Sequence, residues 1–425
     1  PSRDADSVVT VNGAFDDDAG RLPSRVAVLS LHTSPLAQPG KGDAGGMNVY
    51  VRELAAALAH TGSEVTVYVR RWRDDLPREV LVEPGVRVVH VQAGPASLDK
   101  EALPDIVPAF IDGVIADIEA HGGTDIIHAN YWLSGVAGHV IKHALNLPLV
   151  TTFHTLARVK AETGDPEPRR RIEAEIEVIH CSDVITANSL AEAQQLQRYY
   201  DAPADRIEEI PPGTEHALFS PGDQTGARAA LGLGRGPVVT FVGRIQPLKG
   251  IDVAVRAFAA LRRHDAQLLI VGGASGAGGD AEVDRIHSLV DTLGIDGQVR
   301  FVPPQPHHLL STYYRASDLV MAPSRSESFG LVALEAGACG TPVVAAAVGG
   351  LRTLIDHGNT GFLVEGRDPA VYAAYANEIL DNPLLAAEMA MNAAEHARSY
   401  TWMAMAHRLG ATYRHLRDRQ LVSCA

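Results

Sequence analysis

Two apolar textures alternate along the chain. Residues 25–31 (RVAVLSL) form a continuous apolar run of strand length, and residues 47–60 (MNVYVRELAAALAH) repeat their apolar positions every three and four residues, as a helix with one buried face does. Short Val- and Ile-rich runs recur at 64–69, 86–91, 125–128, 149–153 and 183–187, several of them separated by helical patterns. Apolar strands with little alternation belong to parallel sheets covered on both faces. The rhythm breaks at 210–222 (IPPGTEHALFSPG), where three prolines and two glycines in 13 residues predict a linker. Past it, 237–242, 267–271, 299–301, 319–322 and 342–346 read as strands, with 252–263 and 280–293 as helices. The pattern predicts an α/β chain of two doubly wound, Rossmann-like domains in tandem. Residues 1–24, with the run Asp16-Asp17-Asp18 and few apolar side chains, read as a mobile leader.

Length agrees with that division. At 425 residues, 46% hydrophobic, the chain exceeds what one core usually serves. Its 51 acidic against 37 basic residues give a net charge of -14, which argues against a broad grip on nucleic acid or an anionic membrane. Cys181, Cys339 and Cys424 are too few and too scattered for a disulfide framework or a zinc cluster, and they fit a reducing cytoplasm. No run of ~18 apolar residues predicts a membrane span, and no export signal pattern is present.

In doubly wound sheets ligands gather beyond the carboxyl ends of the strands, so the loops there are the candidates for chemistry. After the first strand, residues 32–48 (HTSPLAQPGKGDAGGMN) place glycines at 40, 42, 45 and 46 ahead of a helix, where backbone N–H groups approach an anion easily. The restarted domain opens with FVGRIQPLKG, which sets Arg244 and Lys249 past a strand end. Two cations there suit a diphosphate, since both can neutralise charge on a leaving group; the plainer reading is a pair of solvated surface charges. Glu327 and Glu335 lie eight residues apart, the second within the apolar stretch LVALEAGA. Carboxylates so placed accept hydrogen bonds from sugar hydroxyls, and an acid on an apolar helix is otherwise hard to explain. His154 and Thr155 follow one strand and Asn130 and Tyr131 another.

Gly243-Arg244-x4-Lys249 followed by Glu327-x7-Glu335, on tandem α/β domains, resembles the retaining family 4 glycosyltransferases of the GT-B fold, over residues 25–420. Within that family, segments 32–50, 131–135 and 326–336 are most similar to the branch that glycosylates inositol 3-phosphate in mycothiol biosynthesis, and less so to sucrose-phosphate synthases. The resemblance implies an N-terminal acceptor-binding domain at 25–213, a nucleotide-sugar-binding domain at 214–398, and a segment at 399–425 whose helix, around 403–419, crosses back to the first domain. It assigns Arg244 and Lys249 to the donor diphosphate, Glu335 to the ribose, Glu327 to the transferred sugar, Gly46 to a position against the donor, and His154 to one beside the donor sugar. His32, Asp43, Asn48, Lys100, Tyr131, Thr155 and Arg170 align with the acceptor pocket. Which of Arg169, Arg170 and Arg171 reaches a phosphate stays open. Several acceptor-side segments depart from the family's usual sequence, namely VTTF, LARVKAETGDPEP and His128-Ala-Asn.

The implied reaction moves a hexosyl group from a nucleotide-diphosphate sugar, UDP-N-acetylglucosamine first, to a small polar acceptor, inositol 3-phosphate first. A related enzyme with another donor and a thiol or sugar acceptor, or a non-catalytic sugar-nucleotide binding protein, are the alternatives. No cofactor beyond the co-substrate is implied; a peripheral Mg2+ is compatible with the family, no metal-ligand cluster demands one, and family habit suggests a homodimer. A dinucleotide oxidoreductase fits poorly, because the first loop lacks G-x-G-x-x-G spacing with an acid ~20 residues on.

Overall fold

A computed structural model describes residues 25–40, 42, 44–276, 278–417 and 419–424. The leader at 1–24 and Asp43 lie outside the described residues. The first sheet contains β1 (Arg25–Leu29), β2 (Glu64–Arg70), β3 (Glu79–Glu83), β4 (Val86–Val91), β5 (Ile126–Asn130), β6 (Leu149–Thr152), β7 (Val184–Ala187) and β8 (Ile207–Glu209). Its order is β3-β4-β2-β1-β5-β6-β7-β8, parallel throughout except for the antiparallel pair β3 and β4. The second contains β9 (Val238–Val242), β10 (Gln267–Val271), β11 (Val299–Val302), β12 (Leu319–Ala322), β13 (Val343–Ala346) and β14 (Gly361–Val364). These run parallel in the order β11-β10-β9-β12-β13-β14.

The central strands are buried over nearly their full length, which is why they read as unbroken apolar runs. Burying both faces of a strand removes the selective reason for alternation. Helices cover each face, and the cores form between sheet and helix on either side. The helix Trp402–Arg417 follows the second sheet in sequence but packs on the first: Trp402, Met405, Ala406, Leu409 and Tyr413 share a core with Val26, Val28, Leu54 and Leu58. Tyr413 also sends its hydroxyl to Nδ1 of the buried His128 at 2.6 Å.

The chain thus crosses between the two halves twice, and the crossings run side by side. Thr214 pairs with Thr401 in an isolated parallel bridge, and the Thr214 N–H donates to the Tyr400 carbonyl at 3.1 Å. A Cβ on Gly213 would stand 2.2 Å from the carbonyl carbon of Thr401, so only glycine lets the crossings approach this closely.

One cysteine pairing was not foreseen from composition. Cys181 and Cys424 are joined as a disulfide across a Cα–Cα distance of 5.4 Å and 243 residues of sequence. Sequence scatter misled because the segment after the return helix runs back onto the end of the helix Arg169–Cys181; Cys339 remains a free, buried thiol. No helix among the described residues is long and apolar enough to cross a membrane.

Candidate active site

In each sheet the winding reverses at one strand: β1 lies between β2 and β5, and β9 between β10 and β12. Loops beyond the carboxyl ends part at such a switch point and leave a crevice. The two crevices face each other across one cleft that divides into two chambers. Lys249, Glu327, Glu335, Asn188 and Glu192 line the first, and His32, Lys100, Tyr131, Arg170 and Arg171 line the second. Gly46, His154, Thr155, Lys160 and Arg244 border both.

Arg244 and Lys249 are presented by the loop after β9. Arg244 donates from a terminal nitrogen to Ser275 Oγ at 3.2 Å. Across the cleft, a Cβ on Gly45 would lie 3.3 Å from its Nε, so the Gly-rich loop of the first domain stays bare where this guanidinium meets it. Lys249 Nζ donates to Glu327 Oε2 at 2.6 Å, and the Glu327 carbonyl accepts the Gly350 N–H at 2.9 Å. Glu335 sits on the helix Leu331–Ala338 and is buried. Its carboxylate takes a hydrogen bond from His307 Nε2 at 2.6 Å and another from the Tyr314 hydroxyl at 3.0 Å. Those two partners account for an acid on an apolar helix. Burial would pull His307 down, but the charge of Glu335 and the hydrogen bond to it outweigh that, and the imidazole titrates above its ordinary value.

On the opposite wall, His154 follows β6 with φ 62° and Tyr131 follows β5 with φ 77°. Left-handed backbone costs a non-glycine residue roughly 1–2 kcal/mol and persists where surrounding structure imposes it, often at working sites. His154 Nε2–H donates to Asn130 Oδ1 at 2.9 Å, and its ring meets Tyr50 edge-on at 4.6 Å between centroids. Burial, then the neighbouring His128, pulls His154 down to about 3, so the ring is neutral near pH 7. Burial also holds His32 at about 3, with Lys100, His154, Arg171 and Arg244 adding to the effect. Its Nδ1 is buried without a protein partner, and its ring lies 4.3 Å from that of Tyr131.

The three-arginine run now separates by role. Arg169 is exposed and pairs with Glu173. Arg170 lines the second chamber and donates to the Glu101 carbonyl. Arg171 is buried: it bonds Glu175 at 2.7 Å, Glu167 at 2.8 Å and the Thr155 carbonyl at 3.0 Å, with its guanidinium 4.9 Å from the centre of the Tyr131 ring. It fixes both walls of the chamber. Asn48 stands apart from the other expected acceptor residues. Its amide accepts from the Gly45 N–H at 2.8 Å and donates to Thr33 Oγ1 and the Ser34 carbonyl, both at 2.6 Å, so it folds the Gly-rich loop behind the cleft wall.

Sequence reading missed Lys160, Asn188, Glu192 and His307, and left Arg171 unresolved among three arginines. Arg171 carried a usable signal, Glu167 and Glu175 each four residues away, which is ion-pair spacing on a helix. Lys160 is held by Asp165 at 2.9 Å and by Glu167. Glu192 was hidden behind a structural motif. Ser189-x-x-Glu192 is a capping-box sequence, yet its Oε2 accepts from the N–H and Nδ2 of Asn188 at 2.7 and 2.9 Å while Oε1 is buried without a partner.

Comparison with known proteins agrees with this geometry. Residues 44–218 match the profile described as Glycosyltransferase Family 4 and residues 223–399 the one described as Glycosyl transferases group 1. The chain belongs to this family of glycosyltransferases, and its architecture is the GT-B fold. It is 48% identical over 394 residues to the D-inositol 3-phosphate glycosyltransferase of Acidothermus cellulolyticus, covering 89% of this chain and 88% of that one. Among solved structures, the sucrose-phosphate synthase of Thermosynechococcus elongatus superposes with a TM-score of 0.87 at 34% identity, over 92% of this chain and 99% of that one. HepE of Anabaena, solved with UDP-glucose, is 22% identical with a TM-score of 0.73, covers 91% of this chain and 98% of that one, and shows the fold alone.

Proposed function

We propose that the protein transfers a hexosyl group from UDP-N-acetylglucosamine to 1D-myo-inositol 3-phosphate with retention of anomeric configuration. The observation that carries this reading is the pairing of chambers. Arg244 and Lys249 serve the first, while Lys100 and Arg170 line the second with no carboxylate at ion-pair range among the described residues. Glu101, Asp165 and Glu167 share that chamber and Glu167 feels the charge of Lys100, but cations without a direct ion pair favour a phosphorylated acceptor over a neutral one. The activity named for the 48% identical relative points the same way.

The donor diphosphate lies against Arg244 and Lys249 in this reading, with the bare Gly45–Gly46 turn and the N-terminus of the helix Gly46–His60 facing it. Charge that accumulates on the β-phosphate as the glycosidic bond lengthens is then met by groups already in place. Glu327, now paired with Lys249, accepts from sugar hydroxyls once the phosphate takes over the ammonium. Attack comes from the face the phosphate is leaving, and a phosphate oxygen takes the acceptor's proton. His154, neutral and at the border of both chambers, supplies a polar wall without adding positive charge beside an oxocarbenium-like centre. Closure of the cleft excludes the water that would hydrolyse the donor.

The test is product analysis with UDP-N-acetylglucosamine and either inositol 3-phosphate or free inositol, the anomer read by proton coupling. An α-linked product from the phosphorylated acceptor, and a steep rise in its KM in Arg170→Ala, are expected. Equal use of free inositol, or an unchanged KM in the variant, refutes the phosphate-binding assignment.

A further inference from the structure

The cysteine pair has company that a disulfide does not explain. His139 and His143 lie one turn apart on the helix Trp132–Leu145, and their ring nitrogens converge with the sulfurs of Cys181 and Cys424 so that all four ligand atoms fall within 4.8 Å of one another. His143 Nε2 stands 3.3 Å from Cys181 Sγ and 3.1 Å from Cys424 Sγ. In tetrahedral zinc, bond lengths near 2.0–2.3 Å put neighbouring ligand atoms roughly 3.3–3.8 Å apart, so His143 already stands close to ligand range of both sulfurs, with His139 inside the 4.8 Å group. We propose that, in the reduced chain, His139, His143, Cys181 and Cys424 form a closed four-coordinate Zn2+ site. The site is remote from the sugar-transfer cleft and fastens the C-terminal segment to the first domain.

Three features suit that role. The ligand set is two soft thiolates and two imidazoles, the chemistry that selects zinc over hard cations. Glu177 Oε1 lies 3.5 Å from His139 Nδ1, and a carboxylate on one ring nitrogen orients the other toward a metal. The tail is also brought to the site independently of its sulfur. The Val422 N–H donates to Asp183 Oδ1 at 2.7 Å, and Asp183 is itself paired with the buried Lys142 at 2.8 Å. Lys142 in turn donates to the Cys181 carbonyl at 2.8 Å. Lys142 and Asp183 cancel each other's charge, and two thiolates cancel that of Zn2+. The site lies on the C-terminal parts of two helices whose N-terminal ends carry Tyr131 and Arg171. His143 is twelve residues from Tyr131, which is ~18 Å along a helix, so the metal is structural.

Opening the pair balances with a phosphine reductant: the disulfide takes two electrons from phosphorus and two protons from water, whose oxygen leaves in the phosphine oxide. Zn2+ then displaces both thiol protons. The experiment uses the full chain kept in phosphine, exchanged against Zn2+ or Co2+, with metal counted by mass spectrometry and the cobalt spectrum recorded. One equivalent per chain, a thiolate-to-cobalt charge-transfer band with intense tetrahedral d–d absorption, and a higher unfolding temperature are expected. His143→Ala, at an exposed position, and His139→Ala should each weaken Zn2+ binding at least ten-fold while nucleotide-sugar turnover is unchanged. Cys339, whose thiol burial pushes to about 12, should contribute nothing to thiol alkylation, and zinc should protect the other two. Reduced protein that takes up no metal, or both histidine variants binding zinc as the parent does, would leave only a disulfide and overturn the site.

Discussion

Glu192 offers a test in which the structure sets the magnitude. Its carboxyl is buried in the wall of the first chamber, and burial pushes it up to about 7 from an ordinary 4.5, against the pull of the two hydrogen bonds from Asn188. Below pH 4.5 the group is protonated in folded and unfolded chains alike. As pH rises from 4.5 to 7 the unfolded chain releases this proton and the folded chain keeps it, so stability falls by ~1.36 kcal/mol per pH unit. Across that window the loss is about 3 kcal/mol, complete above pH 7. Glu192→Gln keeps the acceptor oxygen and removes the titration. The variant should match the parent near pH 4.5 and exceed it by about 3 kcal/mol at pH 8, which for a domain of this size is roughly 6–12 °C in melting temperature. Thermal melts of both proteins at closely spaced pH values measure the difference, and background titrations such as those of His32 and His154 cancel in it. A pH-independent difference between the two curves would refute the account of Glu192 as a buried neutral acid.

The remaining predictions concern the cleft and its supports. Lys249→Ala should lower kcat/KM by about 10²–10³, the scale of losing one preorganised charge partner of a leaving group, with circular dichroism unchanged; near-parental turnover would remove Lys249 from the reaction. Gly45→Val, crowding the Arg244 guanidinium 3.3 Å away, should reduce turnover by about ten- to a hundred-fold through misplacement of that cation, readable as a loss of kcat with isolated nucleotide affinity less affected. Arg171→Met should cost about 3–5 kcal/mol in urea unfolding, because Glu175 is left buried without its cation. Acid should destabilise the first domain as pH falls below 6.5, since His32, His128 and His154, each held near 3 in the folded chain, charge only on unfolding.

Most of the fold was legible because its interior strands are buried on both faces. The runs at 86–91 and 267–271 were placed end to end as Val86–Val91 and Gln267–Val271, and the helix in LVALEAGA as Leu331–Ala338. Three strands were not seen, and all three are edges. β3 (EVLVE) is half exposed, β8 (IEE) has three residues and two acids, and β14 (GFLV) follows a glycine turn and has four. β3 and β8 bury too little to leave an apolar run, whereas β14 is mostly buried but too short to stand out, and neighbours outside each segment supply the register that makes it a strand. The Cys181–Cys424 contact was illegible for a related reason: only the return of Trp402–Arg417 to the first sheet brings residue 424 near residue 181.

The site divides along the same line between local and distant causes. Arg244, Lys249, Glu327 and Glu335 were found because each departs from what its own loop or helix needs, and all four line one chamber. Lys160 and Glu192 escaped, and Arg171 could not be told from its neighbours, because each is locally satisfied, by nearby carboxylates, a cap or i,i+4 acids, and gains meaning only from what lies across the fold. The two kinds of residue are coupled. Ser189, which caps the helix bearing Glu192, donates its hydroxyl to the Ser328 carbonyl beside Glu327 at 2.7 Å, and Gly45, held by Asn48, touches Arg244. Any movement that opens the cleft must break the first contact and withdraw the second. On the proposed function, the residues assigned to the donor are therefore aligned only when the halves are closed, which would tie leaving-group stabilisation to exclusion of water.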